Sequence, residues 1–151
     1  MDACSLDVDL TTPPGSVDHG VVLRSTPMKA AIAGMPPLIL YAMTATGYAH
    51  WLDSGELVAA ATDFGISHPP GQPLAAIVLG AANLLPIGAI AFRVAIISAL
   101  FGAVAVAALA LAFEATLRAG DVVRASLRFP MGVAAAWWVA GTYAWWFQAV
   151  R

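Results

Sequence analysis

Residues 93–113 read RVAIISALFGAVAVAALALAF, and this stretch decides the fold. From 94 to 113 it holds no Asp, Glu, Lys, Arg or Pro. At ~1.5 Å per residue, a helix over those positions reaches about 30 Å, the thickness of the hydrocarbon core of a bilayer. Gly102, Ala103 and Ala107 offer the small surfaces that let membrane helices approach closely. Outward from this stretch the charges remain segregated. The 7 Lys+Arg and 9 Asp+Glu leave 30–52, 64–92 and 129–150 free of charge as well.

The 151-residue chain is 60% hydrophobic and 11% charged, where soluble domains run near half and a quarter. These proportions and gaps predict an all-α, polytopic membrane protein with about four transmembrane helices, near 30–49, 74–87, 92–114 and 131–150. Pro36 and Pro37 interrupt the first, which is tolerable where neighbouring helices satisfy the freed carbonyls. The second is short, and Pro86, Gly88 and Arg93 mark the turn into the third. The polar stretch 1–28, with four Asp and the pair Pro13-Pro14, reads as a disordered cytoplasmic tail ahead of a membrane module over 29–151. It lacks the basic start and apolar core of a secretory signal.

Arg24 and Lys29 precede the first span and put the amino terminus in the cytoplasm, with the loop 50–73 outside. Strict alternation then leaves Arg24, Lys29, Arg93 and Arg151 inside and Arg118, Arg124 and Arg128 outside, a bias too even to orient the chain. Arg93 could serve as a phosphate ligand, but this topology puts it on the membrane face away from the loop, where it is expected as a positive-inside anchor. Glu114 is expected to end its helix at the interface, because a carboxylate at mid-bilayer costs about 2.5–3.5 kcal/mol. Trp145 and Trp146 fit an interfacial aromatic belt, with Trp137 and Trp138 deeper.

The totals also exclude classes of function. A net charge of −2 without a basic run leaves no footprint for nucleic acid. The single Cys4 forbids an intramolecular disulfide and a thiolate metal cluster, and no metal site is expected. No spanning segment is expected to bury an ionisable group, which argues against a small transporter subunit.

The chemistry-bearing residues concentrate in the first loop. Asp53-Ser54-Gly55-Glu56 sets two carboxylates three residues apart after the first span. A helix starting at Ser54 gives Leu57, Val58, Ala61 and Phe64 as an apolar stripe, so a short amphipathic helix is expected along the membrane surface, with Asp63 toward water. His68-Pro69-Pro70-Gly71 ends it and turns the chain back. Two readings of the acidic pair stand side by side. It is a capping-box-like start to a helix, or a general base and its companion beside a cavity.

Four motifs lie in order across 50–103: Asp53-Ser54-Gly55-Glu56-Leu57, Gly65-Ile66-Ser67-His68-Pro69-Pro70-Gly71, Leu84-Leu85-Pro86-Ile87-Gly88, and Arg93 followed by Ile97-Ser98-Ala99-Leu100-Phe101-Gly102. Together they resemble the N-terminal part of a multi-pass membrane family, long a domain of unknown function, that includes the transmembrane O-mannosyltransferase acting on plexin-type domains. That family is similar to the GT-C glycosyltransferases. The resemblance implies a lipid-phosphate-linked sugar as donor, on the extracytoplasmic face. It also implies Asp53 as the catalytic acidic residue and Glu56 as its companion, and it places His68 in the loop's closing turn. From the residues themselves, His68 is a substrate-binding candidate or part of a rigid turn, and Trp51 and His50, at the loop's rim, are substrate-binding candidates or interfacial anchors. The resemblance implies no certain cofactor, and it leaves a divalent metal open. Such enzymes carry more spanning helices than four, so the chain is expected to be the first module of one, a fragment or half of a split enzyme. The alternative is a non-catalytic membrane module that pairs with a second multi-pass chain.

Overall fold

The computed structural model describes residues 19–47, 54–63, 65, 73–121 and 123–150. Among them every regular element is a helix. These are α1 (His19–Thr44), α2 (Ser54–Asp63), α3 (Pro73–Gly80, continued by a 3-10 turn over Ala81–Leu84), α4 (Ile90–Gly120), α5 (Ala125–Ala140) and α6 (Tyr143–Ala149).

Helix α4 is the axis of the molecule. Its stripe Ala95, Ala99, Ala103, Val106, Ala107, Ala110 recurs at the three- and four-residue spacing of one helix face and is buried. Because those side chains are small, neighbours come close to its backbone. Gly34 of α1 sits where an added Cβ would be 3.2 Å from the Ala103 carbonyl, and Gly132 of α5 where it would be 2.7 Å from that of Ala110. Asp121, in the left-handed conformation with φ 47°, caps the far end by donating its N–H to the Arg118 carbonyl.

Both long neighbours run antiparallel to α4. Along α1, Lys29 meets Glu114, Gly34 meets Ala103 and Ala107, and Tyr41 lies beside Gly102. Helix α5 passes Ala110 at Gly132, breaks at Gly141–Thr142, and resumes as α6, whose Ala149 packs on Gly102. The expected last span, 131–150, is therefore two helices rather than one. The Ser98 hydroxyl donates to the Gln148 carbonyl and the Thr46 N–H to that of Val150, so α6 closes against both α4 and the end of α1.

Prolines explain a second set of contacts. Pro37 has no N–H to give the carbonyl four residues earlier, that of Ala33. The Trp137 indole supplies the missing donor at 2.9 Å. Tyr41 Oη donates to the Ala140 carbonyl (3.0 Å), and Trp146 Nε1 to Thr44 Oγ1 (3.1 Å). Two tryptophans expected from their composition to mark membrane depth are thus helix clamps, each joining the third limb to α1.

The tract 73–84, where a crossing is expected over 74–87, is a short apolar element. Pro73, Leu74 and Val78 lie beside Ser98 and Phe101, and Leu79 and Ala82 pack near Val94. The element thus runs along the first third of α4 only. At ~1.5 Å per α-helical and ~2.0 Å per 3-10 residue it is about 20 Å long, against a ~30 Å core. It stops at Leu84 because Leu85, ahead of Pro86, is extended (φ −84°, ψ 122°). Gly88, with φ +52°, then turns the chain into α4.

Three limbs therefore run the length of the bundle, and its ends differ. The start of α1, the end of α4 and the start of α5 share one end. There Lys29, Arg118 and Arg128 pair with Glu114 and Asp121. Helices α2 and α3, Arg93 and the end of α1 share the other. Of the described helices, Ile90–Gly120 is the one long and apolar enough to cross a membrane. Large apolar side chains point outward all around it, among them Ile39 and Met43 on α1, Phe101 and Val104 on α4, and Trp138 on α5, which is 82% exposed. Apolar surface on this scale is uncommon in soluble monomers.

Candidate functional site

Helix α2 begins at Ser54, where the spacing of Leu57, Val58 and Ala61 places it. Its apolar face does not lie free along a membrane surface. Ala61 and Val58 pack on Leu79, Ala82 and Val94, which fixes the helix against the start of α4. Asn83 Nδ2 donates to the Thr62 carbonyl (3.1 Å), and the Gly65 N–H to that of Ala60 (2.9 Å), holding the far end of the helix. Glu56, in the first turn, and Asp63, in the last, are on the exposed face. A carboxylate in the first turn is favoured by the helix dipole, a stabilising role open to Glu56. It does not compete with a chemical role for an exposed side chain.

The other residues singled out in this loop, His50, Trp51, Asp53 and His68, lie outside the described residues. Asp53 immediately precedes α2 in sequence. No group of three or more His, Cys, Asp or Glu able to hold a metal occurs among the described residues.

Arg93 is at the α2 end of the bundle, not at the opposite face. The reason is the short excursion of 73–84, which returns to the end it left. Its guanidinium reaches back over the turn it follows. Nε donates to the carbonyls of Ile87 (2.6 Å) and Gly88 (3.1 Å), and Nη2 to Gly88 (2.9 Å). The residue therefore anchors the turn and carries a positive charge on the acidic loop's side.

Beside this end, Phe101 separates two apolar grooves. One, of about 530 Å3, runs between α3 and α4 past Leu74, Val78 and Ser98. The other, of about 470 Å3, runs between α4 and α6 past Gly102, Trp145 and Gln148.

Glu114 departs furthest from expectation. Helix α4 continues six residues beyond it to Gly120, and Glu114 is 6% exposed. It accepts from Lys29 Nζ and, at 3.0 Å, from Arg118 Nη2. A buried carboxylate persists where it is paired and hydrogen-bonded, and here two cations do both. Arg118, four residues on along the same helix, was the signal the sequence offered; Lys29 is 85 residues away.

Against known families, residues 53–151 match the N-terminal domain of protein O-mannosyl-transferase TMEM260. The mouse protein O-mannosyl-transferase TMEM260 is 48% identical over 54 residues, which is 35% of this chain and 8% of the mouse protein. No solved structure matches.

Proposed function

Because the chain belongs to the TMEM260 N-terminal-domain family, we propose that it is the N-terminal module of an integral-membrane glycosyltransferase of the GT-C kind. It would draw its sugar from a polyprenyl-phosphate donor on the extracytoplasmic face. The observation that carries this reading is that the family match begins at Asp53, directly ahead of a helix seated at one end of a three-limbed bundle.

The membrane arrangement follows from charge. With 73–84 returning to the end it left, Arg24, Lys29, Arg118, Arg124 and Arg128 belong to one end, and Arg93, with Arg151 next after Val150 in sequence, to the other. Five against two is a stronger bias than the four against three of alternating spans, and it favours the basic end as cytoplasmic and the α2 end as external. The three limbs α1, α4 and α5–α6 are the crossings, and α3 is a short re-entrant element. Lipid covers the outward-facing apolar side chains.

In the reaction, an acceptor hydroxyl attacks the anomeric carbon of the lipid-phosphate sugar. Asp53 takes the hydroxyl proton as the new glycosidic bond forms, and the lipid phosphate leaves with the electron pair of the broken bond. Glu56, three residues on, orients the acceptor or the base. His50, Trp51 and His68 supply the polar and aromatic rim that receives the sugar. The relative's name makes mannose the first sugar to test. A second reading, a non-catalytic module that pairs with another multi-pass chain, is favoured by the open apolar grooves on both sides of Phe101.

Two measurements test the proposal. In a chain with Cys4 replaced by Ser, a membrane-impermeant maleimide applied to intact cells should label Asp63→Cys and spare Ala125→Cys. The reverse pattern would overturn the orientation. In membranes active for transfer, Asp53→Asn should lower the rate by about 100-fold or more with donor binding retained, the usual loss for a general base. Unchanged transfer removes Asp53 from the reaction.

A further inference from the structure

At the basic end of the bundle, α1 and α4 leave between them a pocket of about 310 Å3. Ser25, Thr26 and Lys29 line it from one side, and Leu111, Glu114 and Arg118 from the other. We propose that this pocket binds the phosphate-bearing headgroup of an anionic phospholipid. The inference rests on the membrane reading above but not on sugar transfer.

Three features of the pocket support it. The first is charge. Lys29 and Arg118 both donate to one oxygen, Glu114 Oε1, so two cations share one carboxylate and the cluster keeps a formal charge of +1. An ammonium carries three N–H donors and a guanidinium five, many more than one carboxylate oxygen can accept.

The second feature is preorganisation. Glu114 holds both cations in place, and Lys29 also sits over the Phe129 ring, 5.2 Å from its centroid. The Glu114 side chain is 8% exposed and that of Arg118 44%, so the carboxylate lies at the back and the guanidinium at the mouth. Positively charged groups already fixed in position lose little freedom when an anion arrives.

The third feature is the grade of polarity along the wall. Leu111 lies about one helical turn from Glu114 toward the middle of the bundle, and Arg118 one turn toward its end. Ser25 and Thr26 flank the outer part from α1. A phospholipid has the same order, with its phosphate at the outer level and its acyl chain along the apolar wall. Free phosphate would use the outer half alone. Basic pockets between membrane helices on the cytoplasmic side suit anionic headgroups for this reason.

The test uses the full chain purified in detergent with a phosphatidylglycerol and phosphatidylcholine mixture, and native mass spectrometry reads the retained lipid. Phosphatidylglycerol should be retained in preference, and Arg118→Gln should reduce that preference about fivefold, the share of one cation near an anionic surface. Arg118→Lys should restore most of it. Because Arg118→Gln leaves the Lys29–Glu114 pair in place, an unchanged circular dichroism spectrum would show that the fold is intact. Equal retention of both lipids, or an Arg118→Gln chain that behaves as the parent, overturns the proposal. So does displacement of phosphatidylglycerol by millimolar inorganic phosphate, which would identify a free-anion site instead.

Discussion

Replacing Gly132 with Ala tests the packing of the bundle at its tightest crossing. An added Cβ would lie 2.7 Å from the Ala110 carbonyl oxygen and 3.1 Å from the Glu114 nitrogen. Both are backbone atoms of α4, which cannot swing aside as a flexible side chain can. Ordinary contact begins at 3.4 Å, so the two helices must separate by 3.4 − 2.7 = 0.7 Å at this point. A radial gap of 0.5–1 Å forfeits roughly a quarter to a half of each dispersion contact across it. Val133 and Ala136, buried on the same face of α5, would share the loss. Overpacking of this kind costs about 1–3 kcal/mol, while the helix propensity of Ala over Gly returns up to about 1 kcal/mol. Taking the middle of that range, about 2 kcal/mol, less about 1, the net expectation is a destabilisation of about 1 kcal/mol. Thermal unfolding of the purified chain, followed by tryptophan fluorescence and circular dichroism, measures it. Gly55→Ala is the control, because a Cβ there meets nothing within 4 Å, and it should leave stability unchanged or raise it. A Gly132→Ala chain as stable as the parent would refute the close crossing of α4 and α5.

Three further outcomes follow from named contacts. Trp137→Phe removes the donor to the Ala33 carbonyl and should cost about 1–2 kcal/mol; in a Pro37→Ala background, where residue 37 regains its own N–H, the same change should cost much less, as a double-mutant cycle on unfolding would read. Lys29→Met strands Glu114 beside Arg118 alone and should cost on the order of 3 kcal/mol, the low end for a broken buried pair because Lys29 is partly exposed; Lys29→Met/Glu114→Met should recover most of it in the same assay. Arg93→Met releases the carbonyls of Ile87 and Gly88 and should speed proteolytic cleavage at 85–89 without a comparable effect at 121–124, as mapped by limited digestion.

The parts of this fold that the sequence shows are those set by local periodicity. The uninterrupted apolar run after Arg93 can only be a long helix, and the stripe from Leu57 to Ala61 fixes the start of α2 at Ser54. The status of 73–84 was not legible in the same way. Hydropathy is the same for a segment that crosses a bilayer and for one that lies against a neighbour, and the distinction comes from packing on Val94 and Phe101. Glu114 follows an apolar run and so reads as its end, because its partner Lys29 is remote in sequence. For the candidate site, motif order across 53–103 carried the family, and α2 supplies the seat of Glu56. What the sequence could not supply was the relation between the loop and Arg93, which depends on whether 73–84 crosses or returns.

The proline pair in α1 has a consequence for how the protein is made. The Ala33 carbonyl receives its donor from a residue 104 positions later. At synthesis rates of ~5–20 residues per second, roughly 5–20 s pass before Trp137 emerges. In the arrangement proposed above, the first hydrophobic segment until then enters the membrane with an unmatched backbone oxygen, which is costly to leave in hydrocarbon. Stable residence of that segment therefore depends on a part of the chain not yet translated, and a bystander such as the insertion machinery or water must shelter the oxygen meanwhile. Ribosome-stalled intermediates cut before and after codon 137 should differ sharply in how readily alkali extracts them from the membrane.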